Sequence, residues 1–279
     1  MKKTKRKKCT RILAAGFVVL VLFRLSPLFP FVQSLLVMGV YSAMHTQESL
    51  MAEEGIRLHI PGGLSTREAD WYPFVMTYVA NADYARYVGE PDAKLTILYN
   101  FPSFSHTKGC SRLFDQTSAY YNGFYGAYFL RDSSNMALAD GRLDENVAAN
   151  IAKFDFFHLV LGDFGLKPKD QIFDFTIDRR NEHVPYAGYD GWTQLQATIT
   201  VNGSAHQARH GVTSYLQYGK PNFEPPEQDF APVSISAIIY GRYFPEWDVG
   251  VYFYVMGESN TCQVCDQTIL SKSILKAKK

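Results

Sequence analysis

Charged and apolar positions segregate sharply at the start of the chain. Lys2, Lys3, Lys5, Arg6, Lys7, Lys8 and Arg11 form a basic cluster, and residues 12–23 carry no charge. Beyond Arg24 the chain turns apolar again, and the first acidic residue is Glu48. A secretory signal peptide shares the basic start and an apolar core of about 7–15 residues, but it ends at a small-residue cleavage site. The nearest permissive site here, Val40-Tyr41-Ser42, lies far downstream. A spanning helix needs about 20 mostly apolar residues. Residues 12–31 supply that length with Arg24 as the one charge, and a guanidinium near the end of a span can snorkel to the interface. Pro27 and Pro30 then kink or end the helix where it leaves the bilayer. The pattern predicts a basic tail over 1–11, a transmembrane signal-anchor over 12–31 and a helical stalk over 32–55. An extracytoplasmic domain follows over 56–279. Basic flanks stay on the cytoplasmic side, so the domain is expected outside the cell membrane, on a single-pass anchor.

Within the domain, period-2 patterns dominate. Residues 56–60 and 71–80 read as strands, and 94–101 is the clearest strand of the first half, uncharged after Lys94 and bounded by turn residues. Residues 120–130 are densely aromatic, and Gly123 and Gly126 inside them mark a bulge or the close approach of a neighbour. Ser65 to Glu68 has capping-box spacing for a short helix. Residues 144–154 show helical spacing at Val147, Ala148, Ile151 and Ala152. Residues 155–161 and 171–177 read as strands, and the polar stretch 178–191 reads as a long exposed loop. Asn202-Gly203 between two runs is a hairpin signal. Strands over 233–240 and 249–256 are joined through Phe244-Pro245-Glu246, and 262–276 shows helical spacing. The sum is an α+β fold, β-dominant and mainly antiparallel, with a few short helices. A break near 132–143 is a candidate subdomain boundary.

Charge changes the picture of partners. Eight of the 28 Lys+Arg lie at or before Arg24, leaving 20 against 27 Asp+Glu, a net charge of about −7 beyond the anchor. That acidity argues against nucleic acid. The expected partners are the membrane and another envelope protein or a glycan. The 18 Tyr and 20 Phe fit either a β-rich core or an aromatic ligand platform.

Candidate chemistry is sparse. Cys262-x-x-Cys265 with His106 and Cys110 makes a Cys₃His set suited to tetrahedral zinc. Against zinc, an oxidising compartment favours a disulfide among Cys110, Cys262 and Cys265. Cys9 falls on the cytoplasmic side. The CxxC after Ser259, Asn260 and Thr261 also suits a thiolate at a helix N-terminus. His206 and His210 share a face at i, i+4, but Gln207 stands where a zinc hydrolase needs glutamate. Asp178, Arg179 and His183 in the polar stretch have the mixed chemistry of general acid–base work. Asn202-Gly203-Ser204 is a formal glycosylation sequon. No cofactor is expected. The first reading is a membrane-anchored binding or envelope-assembly module. The alternative is an anchored enzyme acting on an envelope substrate through His183, Asp178 and Arg179 or through the thiols.

Overall fold

Two aromatic strands form the middle of the molecule. β4 (Phe124–Arg131) and β8 (Val249–Gly257) are buried along almost their whole length, because both faces of the sheet are covered there. They belong to one seven-stranded antiparallel sheet. Its other strands are β2 (Met76–Val79), β3 (Lys94–Asn100), β5 (Phe173–Tyr186), β6 (Tyr189–Asn202) and β7 (Pro232–Phe244). The spatial order is β2-β3-β4-β8-β7-β6-β5. The structure is a computed structural model. It describes residues 2–26, 28–68, 70–105, 110–132, 144–160, 166–203, 205–206, 216–217, 220–221 and 228–277.

Alternation along each strand feeds two cores. Ile97, Tyr99, Tyr128, Tyr254, Ile199 and Ile239 point to one face and pack under α5 (Glu145–Phe154). Leu98, Tyr125, Phe253 and Ile238 point to the other. There they meet α6 (Ser259–Thr268), Trp192 and Leu275. A two-stranded ladder of β1 (Ile56–His59) with β9 (Ile274–Ala277) lies beside them. Gly126 stands where a Cβ would overlap the Leu98 carbonyl of the next strand, which bears out the close approach read from its position. The α+β, β-dominant, antiparallel architecture is as the periodicity predicts. One sheet takes strands from both sides of residues 132–143, so that stretch does not divide it.

Several elements differ from the sequence pattern. Residues 155–160 are not a strand but a π-helical extension of α5, because a short apolar run has the same composition in a buried helix and a buried strand. Residues 178–191 are not a loop. They are the outer half of a hairpin, β5 and β6, turning at Ala187 (φ 50°) and Gly188 (φ 89°). Over residues 178–183 this edge strand is polar on both sides of the pleat, while Phe173, Phe175 and Ile177 before them pack on the core. Asn202-Gly203 is not a hairpin turn either, since Ala205–His206 pairs with Gln228–Asp229. A helix over Asn81–Val88 (α4) falls in a stretch with no assigned element. Ser65 does not open a helix toward Glu68: it ends a 3-10 turn over Gly63–Ser65, its hydroxyl accepting from Gly62 N–H at 2.9 Å.

The N-terminal expectation also changes. Residues 2–48 form two helices, α1 (Lys2–Leu25) and α2 (Leu28–Glu48), separated at Ser26, whose hydroxyl donates to the Phe23 carbonyl at 2.7 Å. Among the described residues no helix is long and apolar enough to cross a membrane. Nor is α2 a free stalk. Met38 is buried against the domain, the Ser42 hydroxyl accepts from Thr77 N–H at 2.8 Å, and the Tyr41 and Tyr78 rings stack at 5.8 Å. After it comes the short helix α3 (Leu50–Glu53), where Glu53 and Glu54 pair with Arg131 and fix the helix to the end of β4.

Candidate functional site

The sequence-derived candidates are distributed, not gathered. Asp178 accepts from the Thr198 hydroxyl at 2.8 Å, Arg179 donates to Asn181 at 3.2 Å, and His183 is exposed with φ 56°. All three lie exposed on β5, Asp178 and His183 at its register shifts and Arg179 between them. Their neighbour Arg180 instead pairs with Glu145 and Glu182, tying β5 to the start of α5. Cys262 and Cys265 are free thiols on the buried side of α6. Cys262 donates to the Ser236 carbonyl at 3.3 Å. Burial pushes both thiols well above their ordinary range, the reverse of what an exchange-active thiolate requires. His106 and His210 lie outside the described residues, as do the side chains of Cys9, Cys110 and His206. Among the described residues no three metal-capable side chains meet. Asn202 is almost fully buried and accepts from Ile172 N–H at 2.6 Å. Its amide donates to the Asp170 and Phe230 carbonyls at 3.2 and 3.1 Å, so it is a structural staple and is closed to a glycosyltransferase.

Two other arrangements carry polar chemistry. The first is sealed. Asp155 sits at the start of the π-helical turn, fully buried, and accepts from the hydroxyls of Tyr99 at 2.6 Å and Tyr128 at 2.5 Å. Burial pushes its carboxyl up to about 7, and the two hydroxyls limit the rise by stabilising the ionised form. The Tyr128 ring stacks on Tyr254 at 4.2 Å. Nothing here opens to solvent, so the cluster suits a structural role.

The second is open. The β5–β6 turn, β7 and α6 border an open, shallow cavity of about 810 Å³ on the face that α6 covers. That volume lies within the ordinary range of small-molecule sites. Tyr186 and Tyr240 form its aromatic wall, their rings parallel within 6° at 4.0 Å. The Tyr186 hydroxyl donates to the Leu270 carbonyl at 2.9 Å and ties the turn to the end of α6. A directed chain of hydrogen bonds starts outside the lining at Asn181 and runs through Gln194 and Tyr240 to Asp266, which line the cavity. Asn181 donates to Gln194 at 2.7 Å, Gln194 donates to the Tyr240 hydroxyl at 2.8 Å, and Tyr240 donates to Asp266 at 3.1 Å. Burial raises the Asp266 carboxyl above its usual value, while the Tyr240 bond opposes the rise. Its second oxygen, Oδ1, is buried without a hydrogen-bond partner.

None of these cavity residues stands out in the sequence. The usable signal is a lone acid in a segment whose neighbours are buried: Asp266 beside Cys265, and Asp155 before Phe156. Comparison with protein-family models, with curated proteins and with solved structures returns no match. The geometry alone therefore carries the functional reading.

Proposed function

We propose that this chain is a single-pass, membrane-anchored binding module of the cell envelope. Its N-terminus faces the cytoplasm, and the sheet domain presents the Tyr186–Tyr240 cavity outside. The observation that carries the reading is α1. Ile12, Leu13, Phe17, Val18, Val19, Leu20 and Leu22 are all more than half exposed, and together they cover every side of the helix. A helix that is apolar all round belongs in a surrounding apolar medium, whereas one that docks on a partner is apolar along a stripe. The basic cluster directly before it suits anionic headgroups and fixes the orientation. The uncharged stretch Ile12 to Phe23 measures about 18 Å at 1.5 Å per residue, less than the roughly 30 Å hydrocarbon core. Exposed Leu36, Val40 and Met44 on α2 extend the apolar surface, and a short span is accommodated by local thinning and snorkelling of Arg24.

Binding is favoured over catalysis because the open cavity holds a hydrogen-bonded aromatic wall, while Asp178, Arg179 and His183 stay apart on an exposed strand. Flotation of the full-length protein with phosphatidylglycerol-containing vesicles tests the anchor. Wild type floats and resists a carbonate wash. The Val18→Lys, Leu20→Lys double variant, costing about 3 kcal/mol per mid-helix lysine, stays in the soluble fraction. A tag after Lys279 is digested by protease added to intact cells. Failure of wild type to float sinks the membrane reading, and a tag sealed from protease sinks the orientation.

A further inference from the structure

The open cavity has the chemistry of one ligand class. Its walls carry two carboxylates, Asp190 and Asp266, and among the described residues no lysine, arginine or histidine lines it. The nearby Arg242 is already committed: its guanidinium donates to the Asp190 carbonyl and lies over the Phe244 ring at 4.7 Å. Among the lining side chains the formal charge is therefore negative only.

The hydrogen-bond chain adds direction. From Asn181 through Gln194 and Tyr240, each group donates to the next, and every donor points toward Asp266. Such an ordered series of dipoles stabilises negative charge at its end. Asp266 Oδ2 receives the last bond, and Oδ1 receives none. Oδ1 is itself buried, so the Asp266 carboxylate is compensated within the protein by one hydrogen bond alone and keeps uncompensated negative charge at the cavity. Because Tyr186 and Tyr240 stack on each other, a cation meets a tyrosine face only on the side of Tyr240 turned away from that stack.

We propose that this cavity binds an organic cation, the ammonium end of a small amine or of a lysine side chain, with Asp266 as counter-charge and Tyr186 and Tyr240 as the aromatic wall. The inference rests on reading the cavity as the module's binding surface and is independent of membrane attachment. Burial of Asp266 supports it, since a bound positive charge offsets the penalty that raises its carboxyl.

Titration calorimetry on the full-length protein in detergent tests the inference. The probes are n-butylammonium, a lysine-containing tetrapeptide and neutral N-acetylglucosamine. The two cations bind saturably, the stronger of them identifying a free amine or a peptide as the source, and the sugar does not bind. Asp266→Asn keeps the side-chain shape and weakens cation binding at least about tenfold, or 1.4 kcal/mol. Tyr240→Phe breaks the chain and weakens binding less. Thermal unfolding checks that each variant is folded, and Asp190→Asn serves as a second charge-removing variant if Asp266→Asn is not. Equal cation binding by wild type and folded Asp266→Asn overturns the assignment. Binding of the sugar alone overturns the cation but leaves a binding cavity. Absence of binding by any probe overturns both the cation and the cavity as a binding surface, whereas loss of vesicle flotation touches neither.

Discussion

Asp155 shows how one buried residue couples fold to pH. Its carboxyl lies at about 7 in the folded chain against 3.8 for an ordinary aspartate. Between those values the folded protein holds a proton that the unfolded chain has released. The folded state binds more protons, so stability falls as pH rises through that window and levels off above it. Urea unfolding of wild type at pH 4, 5.5 and 7.5 should show this contribution, and Asp155→Asn should lose it, becoming the more stable protein at pH 7.5 by a few kcal/mol at most. Parallel pH profiles for the two proteins would place the effect elsewhere. An aspartate followed by two phenylalanines is visible in the sequence, but its partners are not. Tyr99 and Tyr128 lie 56 and 27 residues away, and only the β3–β4 register brings them to one carboxylate.

At the scale of elements, local signals were legible where the whole signal is local. α5 is the clear case. Asp144 caps it by accepting from Asn146 N–H at 2.9 Å, and Val147, Ala148, Ile151 and Ala152 form its buried side. Asp144→Ala should destabilise the protein by about 1 kcal/mol and Asp144→Ser should restore most of it, read from chemical denaturation midpoints. No loss in the alanine variant would mean the cap is redundant with packing. β3, β7 and β8 were legible for a similar reason, each being an apolar run between turn residues. Of β5 only the start was legible, as the strand read over 171–177; its polar continuation was not, because polarity at an edge strand looks like polarity in a loop. Its turn, Ala187-Gly188, also lacks the asparagine that marks such hairpins most clearly. Asn202-Gly203 misled in the opposite sense, since Asn202 spends its side chain on the segments at Ile172 and Phe230.

For the whole molecule, the sheet order has a consequence for folding. β4 pairs with β8, bringing residues 124–130 against 250–256 in the middle of the sheet. The two halves of the chain therefore share one sheet and contribute to both of its cores, and the domain beyond α2 should unfold in a single cooperative transition by fluorescence and circular dichroism. Fragments split within 133–143 should each fail to fold alone. Two separated transitions would show that the halves are independent after all.

Composition and periodicity by themselves determined the β-dominant antiparallel class, the capped α5, the apolar stretch behind the basic cluster and the acidity of the chain beyond that stretch. These depend on neighbours within a few residues, and hydrophobic burial imposes a period that the chain must carry. The tertiary structure alone decided the docking of α2 on β2, the burial of Cys262 and Cys265, the sealed Asp155 cluster and the cavity at Asp266. The cavity joins residues 181 to 266, from β5, β6, β7 and α6. Such a site exists only once strand pairing has brought distant segments together, and no local pattern encodes which segments those are.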